Sequence, residues 1–230
     1  MIAENLRAVQ ERIAAAARRT GRDPARVRLL AVTKGVDQDR LRQAVAAGQL
    51  LLGENYLQEA REKIRALGPQ VCWHFIGHLQ TNKARAAVDL FHMIHSVDRL
   101  RLAQALNDAA GRLGKVQEVL LQVNLAGEES KSGAAPKDVP DLLAALVGMP
   151  HLKVSGLMAI PPWLPEAEEV RPYFRALREL RDRLAEQGLT ADPLPELSMG
   201  MSGDFEVAVE EGATLVRLGA LIFGPRPPKP

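Results

Sequence analysis

Cysteine is almost absent: Cys72 is the only one in 230 residues, so no internal disulfide can form and a reducing compartment is the expected setting. It lies in the run Val71-Cys72-Trp73, where a small buried hydrophobe is its expected role. An excess of charge of one sign is also missing. Thirty Lys and Arg meet 28 Asp and Glu, for a formal net charge of +2. The basic residues are interspersed with acids and form no stripe, so nucleic acid is not an expected partner. No run approaches the ~20 apolar residues of a membrane span. The first helical segment carries Glu4, Arg7, Glu11 and Arg12 where a signal peptide would have its apolar core. A cytoplasmic protein without a membrane association is expected. What is present is a globular composition, 47% hydrophobic and 25% charged, long enough to enclose one large core as a single domain spanning residues 1–230.

The chain alternates two kinds of segment. Ile2, Leu6, Val9 and Ile13 recur at helical spacing before Gly21 and Pro24, giving an opening amphipathic helix. Arg28 to Gly35 follows as a short apolar run without helical spacing that ends abruptly in Lys34 and Gly35, the pattern of a strand covered on both faces. Asp37 or Asp39 can cap a helix that stops at Gly48. The same unit then recurs, with strands expected at Leu50 to Gly53, Val71 to Ile76, Phe91 to Val97, Val116 to Val123, Leu152 to Met158, Leu194 to Met199 and Thr214 to Leu218. Between them, Thr81 and Asp98 are candidate helix caps, and Pro172 suits a first helical turn. The polar loop Ala126 to Pro136, with Ser130-Lys131-Ser132-Gly133, is the expected mobile connection. Eight strands alternating with helices over about 200 residues fit a closed (β/α)8 barrel, an α/β TIM barrel with an extra N-terminal helix. The proline-rich tail from Pro225 to Pro230 cannot add another element, so no second domain is expected after the eighth strand.

The binding edge of such a barrel is the carboxyl end of its strands. Lys34 falls there, where it is either a solvated charge or a functional amine. Ser198-Met199-Gly200-Met201-Ser202-Gly203-Asp204 and Gly219-Ala220 follow strands seven and eight. Small residues there let backbone N–H groups approach an anion, although two ordinary tight turns and a helix cap would read the same way. Asp204 and Glu206 count against an anion, since they already place negative charge at the first turn of the next helix. His74, His78, His92 and His95 fall across strand ends and loops without metal-ligand spacing. Gly200-Met201-Ser202-Gly203 lacks the glycine a nucleophile elbow needs two residues after the serine, and the glycines do not form a dinucleotide fingerprint. Lys34 and Arg217 stand out as the best functional pair.

Ala31-Val32-Thr33-Lys34, Gly53-Glu54-Asn55-Tyr56-Leu57-Gln58-Glu59, the block from His74 to Lys83, Ser198 to Asp204, and Val216 to Gly224 together resemble the pyridoxal phosphate homeostasis protein family. The five blocks run in order from the first strand to the eighth. The resemblance implies a barrel similar to that domain of alanine racemase, holding pyridoxal 5′-phosphate as a Schiff base on Lys34. It further implies that Arg217 faces the pyridine nitrogen, that Ser202 and the backbone of Gly219 and Ala220 hold the phosphate, and that Asn55 lies near the cofactor. The family commonly carries Thr or Ser where this chain has Ala220, so one hydroxyl contact to phosphate is missing.

Chemistry agrees with that assignment. A Schiff base needs a neutral amine, and an arginine at the ring nitrogen disfavours the pyridinium form that makes the cofactor a strong electron sink. Alanine racemase takes a second acid-base residue from an additional C-terminal domain, and this chain runs only to Pro230. The expected role is therefore a carrier that buffers or delivers the cofactor, as a monomer or weak dimer, to pyridoxal phosphate-dependent apo-enzymes, with little or no catalysis. The alternatives are an amino-acid racemase using the same cofactor, and a Schiff-base aldolase in which Lys34 attacks a phosphosugar.

Overall fold

The computed structural model describes residues 1–128, 131–189 and 194–225. Its strands are β1 (Arg28–Val32), β2 (Leu51–Glu54), β3 (Cys72–Phe75), β4 (Met93–Val97), β5 (Gln117–Val123), β6 (Leu152–Ala159), β7 (Glu196–Ser198) and β8 (Leu215–Leu218). Each pairs in parallel with the next, and β8 returns to β1, so the sheet closes. The expected α/β barrel is therefore the fold. Helix α1 (Ile2–Arg19) precedes it, and α2 (Gln38–Ala46), α3 (Leu57–Leu67), α4 (Ala84–Leu90), α5 (Leu100–Arg112), α6 (Val139–Val147), α7 (Ala167–Glu186), α8 (Phe205–Glu210) and α9 (Ala220–Phe223) surround it. No helix among the described residues is long and apolar enough to cross a membrane.

Side chains alternate between the two faces of each strand, and the core divides accordingly. The main cluster lies between strands and helices, where α7 alone buries Val170, Phe174, Leu177, Leu180 and Leu184. Met93, Leu120, Met158 and Leu215 form a separate apolar cluster, and Leu30, Val32 and Ile76 another. Two residues beyond Met93 and Leu215, on the same faces, come His95 and Arg217, both buried. The lumen thus carries a polar layer next to an apolar one.

Several local expectations are corrected. Asp37 does cap α2, accepting from the Arg40 N–H at 2.9 Å. Thr81 does not cap α4: it sits in a 3-10 turn, Thr81–Lys83, and makes no capping bond. Asp98 fails as a cap because the Arg99 guanidinium takes its carboxylate, leaving Arg99 at the capping position of α5. Pro172 lies inside α7, since the helix starts at Ala167, where the Glu169 carboxylate accepts from the Glu166 N–H at 3.3 Å. The bond lost at proline is tolerated in a helix anchored by five buried side chains. Cys72 is half-buried, not buried. Helix α9, which the sequence pattern does not announce, follows β8 directly. Ser130 and the tail from 226 onward lie outside the described residues.

Helix α1 packs against α2, α8 and α9. Asn5 donates to the Ile222 carbonyl at 2.9 Å, and Arg22 donates to the carbonyls of Gly212 and Ala213 at 3.2 and 2.9 Å and to that of Val209. Arg12 and Arg19 pair with Glu206 at 2.7 and 3.0 Å, and Arg19 reaches Glu210 at 2.7 Å. From the other side α7 supplies Arg171 to Glu210 at 2.6 Å and Arg175 and Arg178 to Glu211 at 3.0 Å each. Helix α8 is thereby clamped between α1 and α7. Arg19 is about half exposed, so Arg19→Ala should lower stability by less than about 1 kcal/mol. Phe174→Ala opens a cavity in the outer core and should cost about 3–5 kcal/mol. Urea unfolding of both variants checks the ranking, and equal losses would contradict a fold held chiefly by its core.

Candidate functional site

At the carboxyl edge of the barrel a cavity of about 370 Å³ is lined by Lys34, Asn55, Ser202, Arg217, Gly219 and Ala220. All six residues singled out from the sequence meet there, although they come from β1, β2, β7 and β8 and the turns that leave them. Val32 and Ile76 add apolar wall, and Ile160, Pro162 and Trp163 contribute from the loop after β6. A cavity of about 400 Å³ at the opposite end, beside Arg28 and Gly48, gathers none of them.

Lys34 sits in the turn just past β1, and the peptide is held on both sides of it. Lys63 Nζ donates to the Thr33 carbonyl at 2.5 Å, and the Gly35 N–H donates to Glu59 Oε1 at 2.6 Å. Lys63 is itself buried between Glu54, at 2.7 Å, and Glu59, at 2.5 Å. Glu54 accepts further bonds from the Thr33 hydroxyl at 2.6 Å and the Asn55 N–H at 3.1 Å. Burial pushes its carboxyl above the usual range, while the bonds from Lys63 and Thr33 work against that shift. One ion triad therefore sets the backbone at both Lys34 and Asn55. Glu54 and Glu59 lie in a recognised block, yet the sequence reading gave them no role and missed Lys63. The available signals were a glutamate ending an apolar strand and the i, i+4 pair Glu59 and Lys63 on one helix face. At Asn55, Oδ1 is buried with no hydrogen-bond partner among the described residues. A Cβ at Gly77 would stand 2.3 Å from the Asn55 carbonyl oxygen, so only glycine lets the segment after β3 approach so closely.

Arg217 is 4% exposed. Its NH1 donates to Ser198 Oγ and its NH2 to the Ala159 carbonyl, both at 2.8 Å. Ser198 Oγ is also 2.9 Å from His95 Nδ1, and His95 Nε2 is 2.9 Å from His74 Nδ1. Cys72 Sγ lies 3.6 Å from His74 Nε2. Burial lowers the Arg217 pKa to about 10, which leaves it cationic at neutral pH. Burial also lowers His74 to about 3, and lowers His95 far below its ordinary value, with His74 and Arg217 adding repulsion at His95. The other histidines go elsewhere: His92 Nδ1 accepts from the Trp73 N–H at 3.0 Å, and His78 Nδ1 meets Ser132 Oγ at 2.8 Å. Among the described residues no group of three or more His, Cys, Asp or Glu could hold a metal ion.

The acids near Ser202 do not crowd the loop. Asp204 turns its carboxylate back to accept from the Met201 N–H at 2.6 Å, and burial raises its pKa. Glu206 is held outside by Arg12 and Arg19. The turn closes with the N–H groups of Asp204 and Phe205 on the Met201 carbonyl, at 3.1 and 2.9 Å, which leaves Ser202 and Gly203 at its tip. Gly200, at φ +92°, takes a conformation glycine adopts without strain. Ala220 opens α9, so its N–H has no carbonyl one turn back to bond.

The alanine racemase N-terminal domain family matches residues 5–227. The pyridoxal phosphate homeostasis protein of Aquifex aeolicus (strain VF5) is 47% identical over 97% of this chain and 97% of its own, and that of Escherichia coli (strain K12) is 43% identical over 98% and 97%. The chain belongs to the pyridoxal phosphate homeostasis protein family. The structure of PipY from Synechococcus elongatus PCC7942, solved with PLP bound and also without it, is 40% identical. It superposes with a TM-score of 0.85 over 97% of this chain and all of that one. Alanine racemase from Corynebacterium glutamicum, 20% identical with a TM-score of 0.72, shares the fold over 62% of its length.

Two consequences can be measured. Lys63→Met leaves Glu54 buried without its cation and should lower stability by about 3–5 kcal/mol. Adding Glu54→Gln should recover part of that loss in urea unfolding, and an unaffected single variant would remove the triad from the argument. The histidines make stability depend on pH. Their folded pKa values lie below the unfolded value of about 6.5, so as pH falls through 6.5 the unfolded chain takes up protons that the folded chain does not, and stability declines. Between pH 7 and pH 5 the loss should be roughly 2 kcal/mol per buried histidine. Replacing His74 and His95 together by glutamine should flatten the slope.

Proposed function

We propose that this protein binds pyridoxal 5′-phosphate at the carboxyl edge of its barrel, covalently through Lys34, and serves to hold and hand on the cofactor with little or no catalysis. The observation that carries the reading is the convergence of Lys34, Arg217, Ser202, Gly219, Ala220 and Asn55 on one cavity. Their chemistry fits the group. A primary amine can take the aldehyde, a buried cation can face the ring nitrogen, and a hydroxyl with N–H groups in two small-residue turns can take the phosphate. The orphaned Oδ1 of Asn55 is an acceptor awaiting a donor.

When bound, the cofactor supplies an aldehyde and an electron-withdrawing ring. Every other contribution comes from the chain. Lys34 presents an amine whose backbone is fixed by the Glu54, Lys63 and Glu59 triad. Arg217 can only donate, so the nitrogen it faces accepts and stays unprotonated, which weakens electron withdrawal and disfavours racemase chemistry. Ser202 and the N–H groups of Gly219 and Ala220 would hold the phosphate, and Trp163 stands at the exposed rim of the cavity. Delivery to apo-enzymes and a monomeric or weakly dimeric state complete the reading.

Borohydride reduction of the loaded protein should place the adduct on Lys34 by mass spectrometry, and Lys34→Ala should abolish it. Pyridoxal should bind at least ~10²-fold more weakly than its phosphate, since each charge-assisted hydrogen bond contributes about 1.5–3 kcal/mol. An adduct on Lys63 or Lys83, equal affinities, or enzymatic accumulation of the opposite alanine enantiomer in deuterated water would overturn the proposal, the last in favour of a racemase.

A further inference from the structure

The guanidinium of Arg217 is enclosed in the barrel, and the acceptors within reach of it are neutral: Ser198 Oγ and the Ala159 carbonyl. Because guanidinium only donates, Ser198 must accept from it. Ser198 is fully buried, so its own hydrogen needs an acceptor, and His95 Nδ1 stands 2.9 Å away. His95 then carries its proton on Nε2, which faces His74 Nδ1 at 2.9 Å. By the same logic His74 carries its proton on Nε2, toward Cys72 Sγ at 3.6 Å. Every link donates away from Arg217. The opposite sense would have His95 donate to Ser198 and strand a buried hydroxyl hydrogen.

We propose that Ser198, His95 and His74 form a one-directional hydrogen-bond chain that positions Arg217 toward the cavity, with both histidines fixed as Nε2–H tautomers. The geometry suits a brace. Arg217 stands on β8 and His95 on β4, halfway round the closed ring of strands, so the chain crosses the lumen and ties the cation to the far wall. Its terminal nitrogens are each held once, by Ser198 and by Ala159, which fixes the guanidinium plane. These are positioning residues: none of the three lines the cavity.

The chain is tested first in the protein without cofactor, by nitrogen-15 NMR of labelled histidines. Both rings should show a bare Nδ1 and a protonated Nε2, and Nδ1–H on either overturns the proposal. The second readout rests on the reading of the cavity as a pyridoxal phosphate site. Ser198→Ala should weaken binding about tenfold, the loss of one buried hydrogen bond, and shift the absorption maximum of the bound cofactor. Ser198→Thr, which keeps the hydroxyl, should restore both. Wild-type affinity and spectrum in a folded Ser198→Ala variant would overturn the positioning role. If Ser198→Ala does not fold, Ser198→Thr decides, since loss of the histidine tautomers in that folded variant would equally refute the chain. Failure of the unmodified protein to bind the cofactor would overturn the functional reading instead, with the tautomers still deciding the chain.

Discussion

A cation sealed inside a barrel constrains everything around it. Removing a guanidinium from water is expensive unless acceptors surround it, and Arg217 meets that demand with a hydroxyl and a backbone carbonyl. Neighbours that could become cationic are repelled by such a charge. That is why the polar layer of the lumen holds two histidines whose protonation is suppressed by burial, although imidazole is often charged in acid. The layer next to it, with Met93, Leu120, Met158 and Leu215, carries no such obligation and is filled by apolar side chains.

The other buried cation among the described residues is handled differently. Lys63 is paired directly with Glu54 and Glu59 at 2.7 and 2.5 Å, so its position follows from strong charge-assisted bonds. The difference matters for the cavity. A paired lysine has its donors committed and can serve only as scaffold, here for the peptides on either side of Lys34. Arg217 is not paired in this way, so it retains donors for a ligand. The two cations thus divide the work, one fixing backbone and the other facing the cavity.

Much of this was legible in the sequence because it is local. Apolar runs separated by helical spacing gave the eight strands, and small residues after strands seven and eight marked the loops that line the cavity. What was not legible depends on partners distant in the chain. His95 meets Ser198 across 103 positions, and Arg12 draws Glu206 outward across 194. No periodicity records such pairings. The caps at Thr81 and Asp98 failed for a related reason. A capping residue competes with every donor nearby, and Arg99 took the Asp98 carboxylate first. Pro172 misled because a proline is tolerated wherever tertiary burial outweighs the lost bond, and α7 buries one face from Val170 to Leu184.

The site also depends on closure of the sheet. Lys34 leaves β1 and Arg217 lies on β8, the first and last strands, and in the register of that pair Leu30 stands opposite Arg217. An open sheet with the same strands would put these two residues at opposite edges. Only the β1–β8 seam brings amine and guanidinium to one cavity. Helix α1 then acquires a role beyond covering apolar surface, because it packs against α8 and α9, which begin at the loops bearing Ser202 and Ala220. The bonds of its Asn5 and of Arg22, in the turn just past its end, hold the elements flanking the seam. Because that seam joins the first and last strands, the cavity exists only in the closed barrel. The packing of α1 against α8 and α9 therefore bears on the same seam that shapes the cavity.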